Sequence, residues 1–367
     1  MRLGSHRKLH LAAVCTLMRR ALGLSLEKRE LGCLERAEPR RLIKIASGHA
    51  IVNLLAGATE DPAIANCLDP DVVAFLDLMQ DRNGARNAAF TAQLQEIGGI
   101  LRDARIEAVA LKGATELICR TYPRATDRLL GDLDILVPQG AIGDAVAALE
   151  ASGYSTHGAV ASPDSLHAPR LWHEAHPAAV EIHHALSRGR GVEILDPAQI
   201  LRASTATRGC LLRVPALADR LCHLIVHAQM NHGRYQSRFL FLRDVADLQA
   251  LSTRATAPTW TEVSARFAGA QAAPMLDAFL VAAFGVLQTP LPLATTPEAA
   301  SWAEKAMFLL RRPEIHRCNY LFAMSRHYLG RFVSDQAARR RYLRYIRCSA
   351  TLRDFVNQHV ASVRDYQ

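Results

Sequence analysis

Two aspartates separated by a single leucine, Asp132 and Asp134, stand inside the apolar run "LLGDLDILVP". Residues two apart on a strand share a face, so a strand here sets two carboxylates side by side and turns Leu133 and Ile135 toward a core. Close carboxylates repel unless a cation lies between them. Oxygen ligands favour a hard divalent ion, Mg²⁺ or Mn²⁺, and Mg²⁺ typically takes one or two protein carboxylates and completes its shell with water and phosphate oxygens. The alternative is a pair of solvated acids at a strand end.

Upstream, Lys112-Gly113 follows the apolar stretch "IEAVAL". A glycine at a strand-to-helix turn leaves space and backbone N–H groups for a phosphate, with Lys112 as a point charge beside it. Composition singles this lysine out. Only five lysines stand among the 44 basic residues, and Lys112 is the only one between positions 44 and 305. Arginine and lysine are not interchangeable, so an isolated lysine in an arginine-rich chain points to a compact ammonium. Downstream, "AAVEIHHAL" alternates as a strand with Glu181 and His183 on one face. His223 and His227, four apart on "LCHLIVHAQ", have the spacing of a zinc pair, but Leu224, Ile225 and Val226 between them equally fit a packed helix.

The elements that position these groups fall into three parts. Residues 1–95 read as a helical N-terminal region, with apolar spacing at Leu54, Ile64, Val72, Phe75 and Leu78 broken by polar turns. Residues 96–196 alternate. A helix carrying Phe90, Leu94, Ile97 and Leu101 feeds a strand over 106–111, and a helix over 114–121 ends at Tyr122-Pro123. A strand starting at Asp132 follows, then a helix over about 140–151 and an irregular stretch holding His157, His167, His173 and His176, which leads to the Glu181 strand. Residues 197–367 are mostly helical, "PALADRLCHLIVHA" opening on a proline suited to a first turn. The grammar is α/β or α+β.

With 367 residues, half of them apolar, the chain can build a substantial core. No apolar run approaches the roughly 20 residues of a membrane span. The basic N-terminal stretch is interrupted by Arg19 and Arg20 and has no small-residue cleavage site, so a cytoplasmic location is expected. Eight cysteines without a C-x-x-C pair read as reduced, mostly buried thiols. The formal charge is +9, and "RRRYLRYIRCSATLR" from Arg339 is either an RNA-backbone contact or a solvated helix face with Tyr342 and Ile346 inward.

Taken in order, the apolar strand, Lys112-Gly113, the helix, Tyr122-Pro123, Arg128, "GDLD", "VEIHHAL" and "LCHLIVHAQMNH" resemble the uncharacterised bacterial nucleotidyltransferases of the DNA polymerase β superfamily. The likeness covers roughly residues 45 to 255 and is most specific over 111–137. It implies an α+β fold in which a small mixed sheet is flanked by N- and C-terminal helices. It also implies transfer of a nucleoside monophosphate from a nucleoside triphosphate, ATP being the expected donor, with release of pyrophosphate. Carried over by position, Asp132, Asp134 and Glu181 are the catalytic metal ligands, Lys112, Gly113 and Arg128 face the nucleotide, and His183, His227 and Asp244 support the site. Ala114 stands where the superfamily turn usually has glycine or serine, and 115–131 is a long spacer. The acceptor, whether small molecule, peptide, protein or RNA, stays open. Two other readings fit the residues: a non-catalytic nucleotide- or peptide-binding accessory protein, and a metal-dependent phosphohydrolase using His173, His176 and His183 with the aspartates. Neutralising Asp132 or Asp134 is expected to leave stability unchanged or higher, because repulsion is relieved.

Overall fold

A proline in the first turn starts several helices, where its missing N–H costs nothing. The computed structural model describes residues 3–157, 165–230 and 233–334; the basic segment from Arg339 lies outside them. The N-terminal region contains α1 (Leu3–Ala21), α2 (Pro39–Gly48) and the 34-residue α3 (Pro70–Asp103). Asp69 caps α3 by accepting the Asp71 N–H at 2.9 Å. The buried face of α3 carries Val72, Leu76, Phe90, Leu94, Ile97 and Leu101. Phe75 and Leu78, which apolar spacing assigned inward, are on the opposite, exposed face.

The strand expected over 106–111 contracts to β1 (Val109–Ala110). The chain before it is used to end α3: Arg105 is left-handed and Ile106 donates to Leu101 O at 2.8 Å. Then come α4 (Lys112–Cys119), starting two residues earlier than expected, β2 (Asp132–Leu136), α5 (Ile142–Ala151) and β3 (Ala179–His183). Two short strands, β4 (Thr205–Ala206) and β5 (Arg213–Val214), complete a mixed sheet of order β3-β2-β1-β5-β4. Strands β2 and β3 run parallel, and β1 is antiparallel to β2. The α+β architecture agrees with the expectation.

One face of the sheet, with Leu133, Ile135, Val180 and Ile182, packs on α3 and α5 through Phe90, Leu94, Ile97 and Leu149. Val109, Leu111 and Leu136 join a larger core with the N-terminal helices and with α6 (Leu217–Gln229), α7 (Leu242–Ser252), α8 (Ala257–Gly269) and α9 (Ala273–Leu287). The N-terminal and C-terminal helices therefore share one interior, and the sheet is clamped between it and the smaller cluster. The seven described cysteines are free, as expected, but only Cys222 is buried. Cys15, Cys33, Cys67 and Cys210 sit half-buried on the rims of the two cores. No described helix is long and apolar enough to cross a membrane.

Candidate functional site

Strand register builds the site. Parallel pairing sets Asp134 directly opposite Glu181, with Asp132 two residues earlier on the same face. Asp134 is only 2% exposed and Glu181 is buried, whereas the Asp132 side chain is 34% exposed. His183 directs Nε2 between the strands, 2.8 Å from Asp134 Oδ1 and 3.4 Å from Glu181 Oε2. Ligand atoms of Asp134, Glu181 and His183 all lie within 4.8 Å of one another, an arrangement able to hold a metal ion. Sequence reasoning missed Arg170, on the irregular stretch before β3. Its Nε donates to Glu181 Oε1 at 2.5 Å, and its other end reaches Asp132 Oδ2 at 3.5 Å.

Lys112 closes the group, with Nζ 2.6 Å from Asp134 Oδ1. Its backbone is left-handed, φ +45°, a conformation that costs a non-glycine residue about 1 kcal/mol. Leu111 N donates to Asp134 O at 2.9 Å and Thr115 Oγ1 to Ala110 O at 2.7 Å, so the turn is tied to β1 and β2 on both sides. Strain held this firmly in place is characteristic of functional turns. Gly113 allows close packing: a Cβ there would meet Leu130 Cγ at 3.0 Å, so the Leu130 side chain would have to give way.

Helix α3 anchors the rest. Gln93 pairs with both main-chain groups of Ala178, immediately before β3, at 3.0 and 3.1 Å. Asn83 and Asn87 donate to the carbonyls of Ala125, Thr126 and Arg128, fixing the long spacer.

Electrostatics separate the two aspartates. Burial by itself favours the neutral form of Asp134, but the Lys112 charge and the His183 hydrogen bond reverse this and hold its carboxyl well below the usual range. Burial acts on Asp132 too, and there Asp134 and Glu181 add to it, so its pKa rises despite Lys112 and Arg170. Glu181 resists burial through His183, His167 and Arg170, which lower it to about 2. Burial opposes the charged forms of Lys112 and His183, yet the acids beside them raise both.

Lys112, Gly113, Asp132 and Asp134 line one wall of a cleft of about 240 Å³, with Glu181 and His183 behind Asp134. The facing wall comes from α6, α7 and the spacer and includes Arg128, Asp219, His223, His227, Asp244 and Asp247. Arg128 is held by Asp247, Nε to Oδ1 at 2.6 Å, and the Tyr122 hydroxyl donates to the same oxygen at 2.6 Å. Asp244 pairs with Arg234 at 2.7 Å. His223 is buried, and desolvation, with Lys112 nearby, lowers its pKa to about 3. His223 and His227 belong to no three-ligand group among the described residues. His176 stacks on Tyr154 and His173 lies tilted against it, and His176 meets Glu96 at 2.7 Å; among the described residues neither joins the group around Asp134.

No curated protein matches the chain. The family described as "Uncharacterised nucleotidyltransferase" matches residues 35–287, a span that includes the long helix, the whole sheet, both walls of the cleft and more than half of the sequence. By that match the chain belongs to this uncharacterised nucleotidyltransferase family.

Proposed function

We propose that the protein transfers a nucleoside monophosphate from a nucleoside triphosphate, with ATP as the expected donor, to an acceptor in the cytoplasm, releasing pyrophosphate. The observation that carries this reading is the register that lines up Asp134 with Glu181 and leaves the partly exposed Asp132 on the cleft lining beside them. The residues fit a divalent ion. Asp132, Asp134 and Glu181 supply carboxylate oxygens suited to Mg²⁺ or Mn²⁺, and the two permanent cations beside them, Lys112 and Arg170, leave three carboxylates incompletely matched. His183 is better placed as an orienting donor than as a ligand. Its Nδ1 is buried with no partner among the described residues, whereas ligating imidazoles usually anchor their second nitrogen. When bound, such an ion supplies Lewis acidity toward the transferred phosphoryl group.

The chain's own groups position the rest. Lys112 lines the cleft and spends one donor on Asp134, leaving two N–H donors for phosphate oxygens. The first turn of α4, with Gly113, adds backbone N–H groups that have no intrahelical acceptor. His183 keeps Asp134 and Glu181 ionised and fixed in orientation. Catalysis on this plan is positioning and electrostatic stabilisation.

The test follows which phosphorus moves. With purified protein, Mg²⁺ and an extract of the source cells, label from an α-labelled triphosphate should enter a product while γ-label appears only in pyrophosphate. Asp132→Asn should reduce both signals by roughly a hundredfold or more. Transfer of γ-label makes the protein a kinase, and free phosphate without acceptor makes it a phosphohydrolase. No turnover with any of the four triphosphates leaves a nucleotide- or peptide-binding accessory protein.

A further inference from the structure

Four permanent cations line the cleft, and three are closed by partners. Lys112 lies on Asp134 at 2.6 Å, Arg128 on Asp247 at 2.6 Å, and Arg220 donates to Thr121 Oγ1 at 2.7 Å while facing Glu116 at 3.4 Å. Arg243, in the first turn of α7, is different. Among the described residues its carboxylate contact is Asp244 Oδ1 at 3.5 Å, and Asp244 already holds Arg234 at 2.7 Å. Its Nε is buried with no acceptor among the described residues, and its remaining contact is the Phe241 ring, 4.9 Å from Cζ. The Arg243 side chain is 26% exposed and lines the cleft, so its terminal guanidinium N–H groups, loosely held by Asp244, are placed to meet an acceptor there.

We propose that Arg243 is the receptor of an oxyanion subsite on the wall facing the carboxylates, and that it takes a phosphate group. A guanidinium presents a planar fork matched to the oxygens of such a group. The cleft, about 240 Å³, falls below the ~300–1,000 Å³ of sites that enclose a whole small molecule, so it accommodates a phosphate-bearing end. The proposal rests on the transfer reading in one respect: it takes the phosphate from either the terminal groups of the donor or a phosphorylated acceptor.

Calorimetry on the full chain without metal, with inorganic tripolyphosphate as probe, tests the subsite independently of turnover. Arg243→Ala should weaken tripolyphosphate roughly ten- to a hundredfold, with Arg243→Lys restoring part of the loss. Asp132→Asn, which disables transfer, should leave this binding intact, so failure of the subsite and failure of the transfer reading give different results. Nucleoside triphosphate and monophosphate separate the sources. Loss for the triphosphate alone assigns the donor's tail; unchanged triphosphate binding with lost inorganic phosphate assigns the acceptor. Equal tripolyphosphate binding by wild type and Arg243→Ala, or none by wild type, overturns the proposal. Should Arg243→Ala fail to fold, Arg243→Gln removes the charge while keeping a polar, shorter side chain with the same first three carbons, and the same outcomes apply.

Discussion

The two walls of the cleft treat charge in opposite ways. On the spacer and α7 side each carboxylate has one close cation: Arg128 with Asp247 at 2.6 Å, Arg234 with Asp244 at 2.7 Å, and below them Arg124 with Asp127 at 2.8 Å. On the strand side partners are shared. Asp134 Oδ1 takes both Lys112 and His183, Glu181 takes Arg170 and His183, and Asp132 has, among the described residues, the far end of Arg170 at 3.5 Å. A closed pair is satisfied and serves to hold chain in place, whereas crowded acids keep a repulsion that an incoming cation relieves. The proposed function accordingly rests on incomplete matching of charge, not on an abundance of ion pairs.

The largest effect should come from breaking a closed pair. Asp247→Ala leaves the half-buried Arg128 without its carboxylate and should lower unfolding stability by about 3 kcal/mol, the low end for a buried pair, in denaturant titrations. Replacing both partners with apolar residues of similar volume should cost much less. If Asp247→Ala costs under about 1 kcal/mol, the pair is not structural, and the contrast between the walls collapses.

Histidines extend the comparison and should show the next largest effect. His183, among acids, is raised, whereas His49, buried against Phe239 and Phe241, is lowered to about 3 by desolvation with Arg7 and His316 nearby. A depressed histidine gives stability that is fully present above its unfolded pKa near 6.5 and is lost as pH falls toward 3, because the unfolded chain binds the proton more readily. The protein should therefore lose a few kcal/mol between about pH 6.5 and 3, with His223 contributing in the same direction. His49→Gln should flatten that slope in melts recorded across pH. An unchanged slope would show that His49 is not held neutral.

Much of this was legible in the sequence because it is periodic. Alternation put Asp132 with Asp134 and Glu181 with His183, and three- and four-residue spacing identified the inner face of α3 from Phe90 to Leu101. What escaped is joined across long separations or lies outside any period. Arg170 sits in an irregular stretch, Asp247 is 119 positions from Arg128, and Gln93 reaches Ala178 across 85. Composition singled out Lys112 correctly as unusual, but no local rule reveals that its ammonium rests on Asp134 or that its backbone is left-handed. Gly113 was read for open space, and the side where its Cβ would project is filled by Leu130.

The smallest effect is also the sharpest, since it separates two residues that the sequence treats as equivalents. Asp134 is ionised with help from Lys112 and His183, so its depressed pKa contributes stability at neutral pH that is lost as pH falls through the acid range. Asp132 has a raised pKa, so its charged form is penalised at neutral pH and the sign reverses. Asp134→Asn should accordingly lower stability by about 1–3 kcal/mol, because Lys112 and His183 lose the carboxylate that satisfies them. Asp132→Asn should leave stability unchanged or slightly higher, as expected when one of several crowded acids is neutralised. Relief of repulsion therefore describes Asp132 alone. Denaturant titrations at pH 7 in metal-free buffer measure both variants; equal losses would make the two aspartates alike, and the strand-side acids would then be structural in the same sense as the Arg128–Asp247 and Arg234–Asp244 pairs.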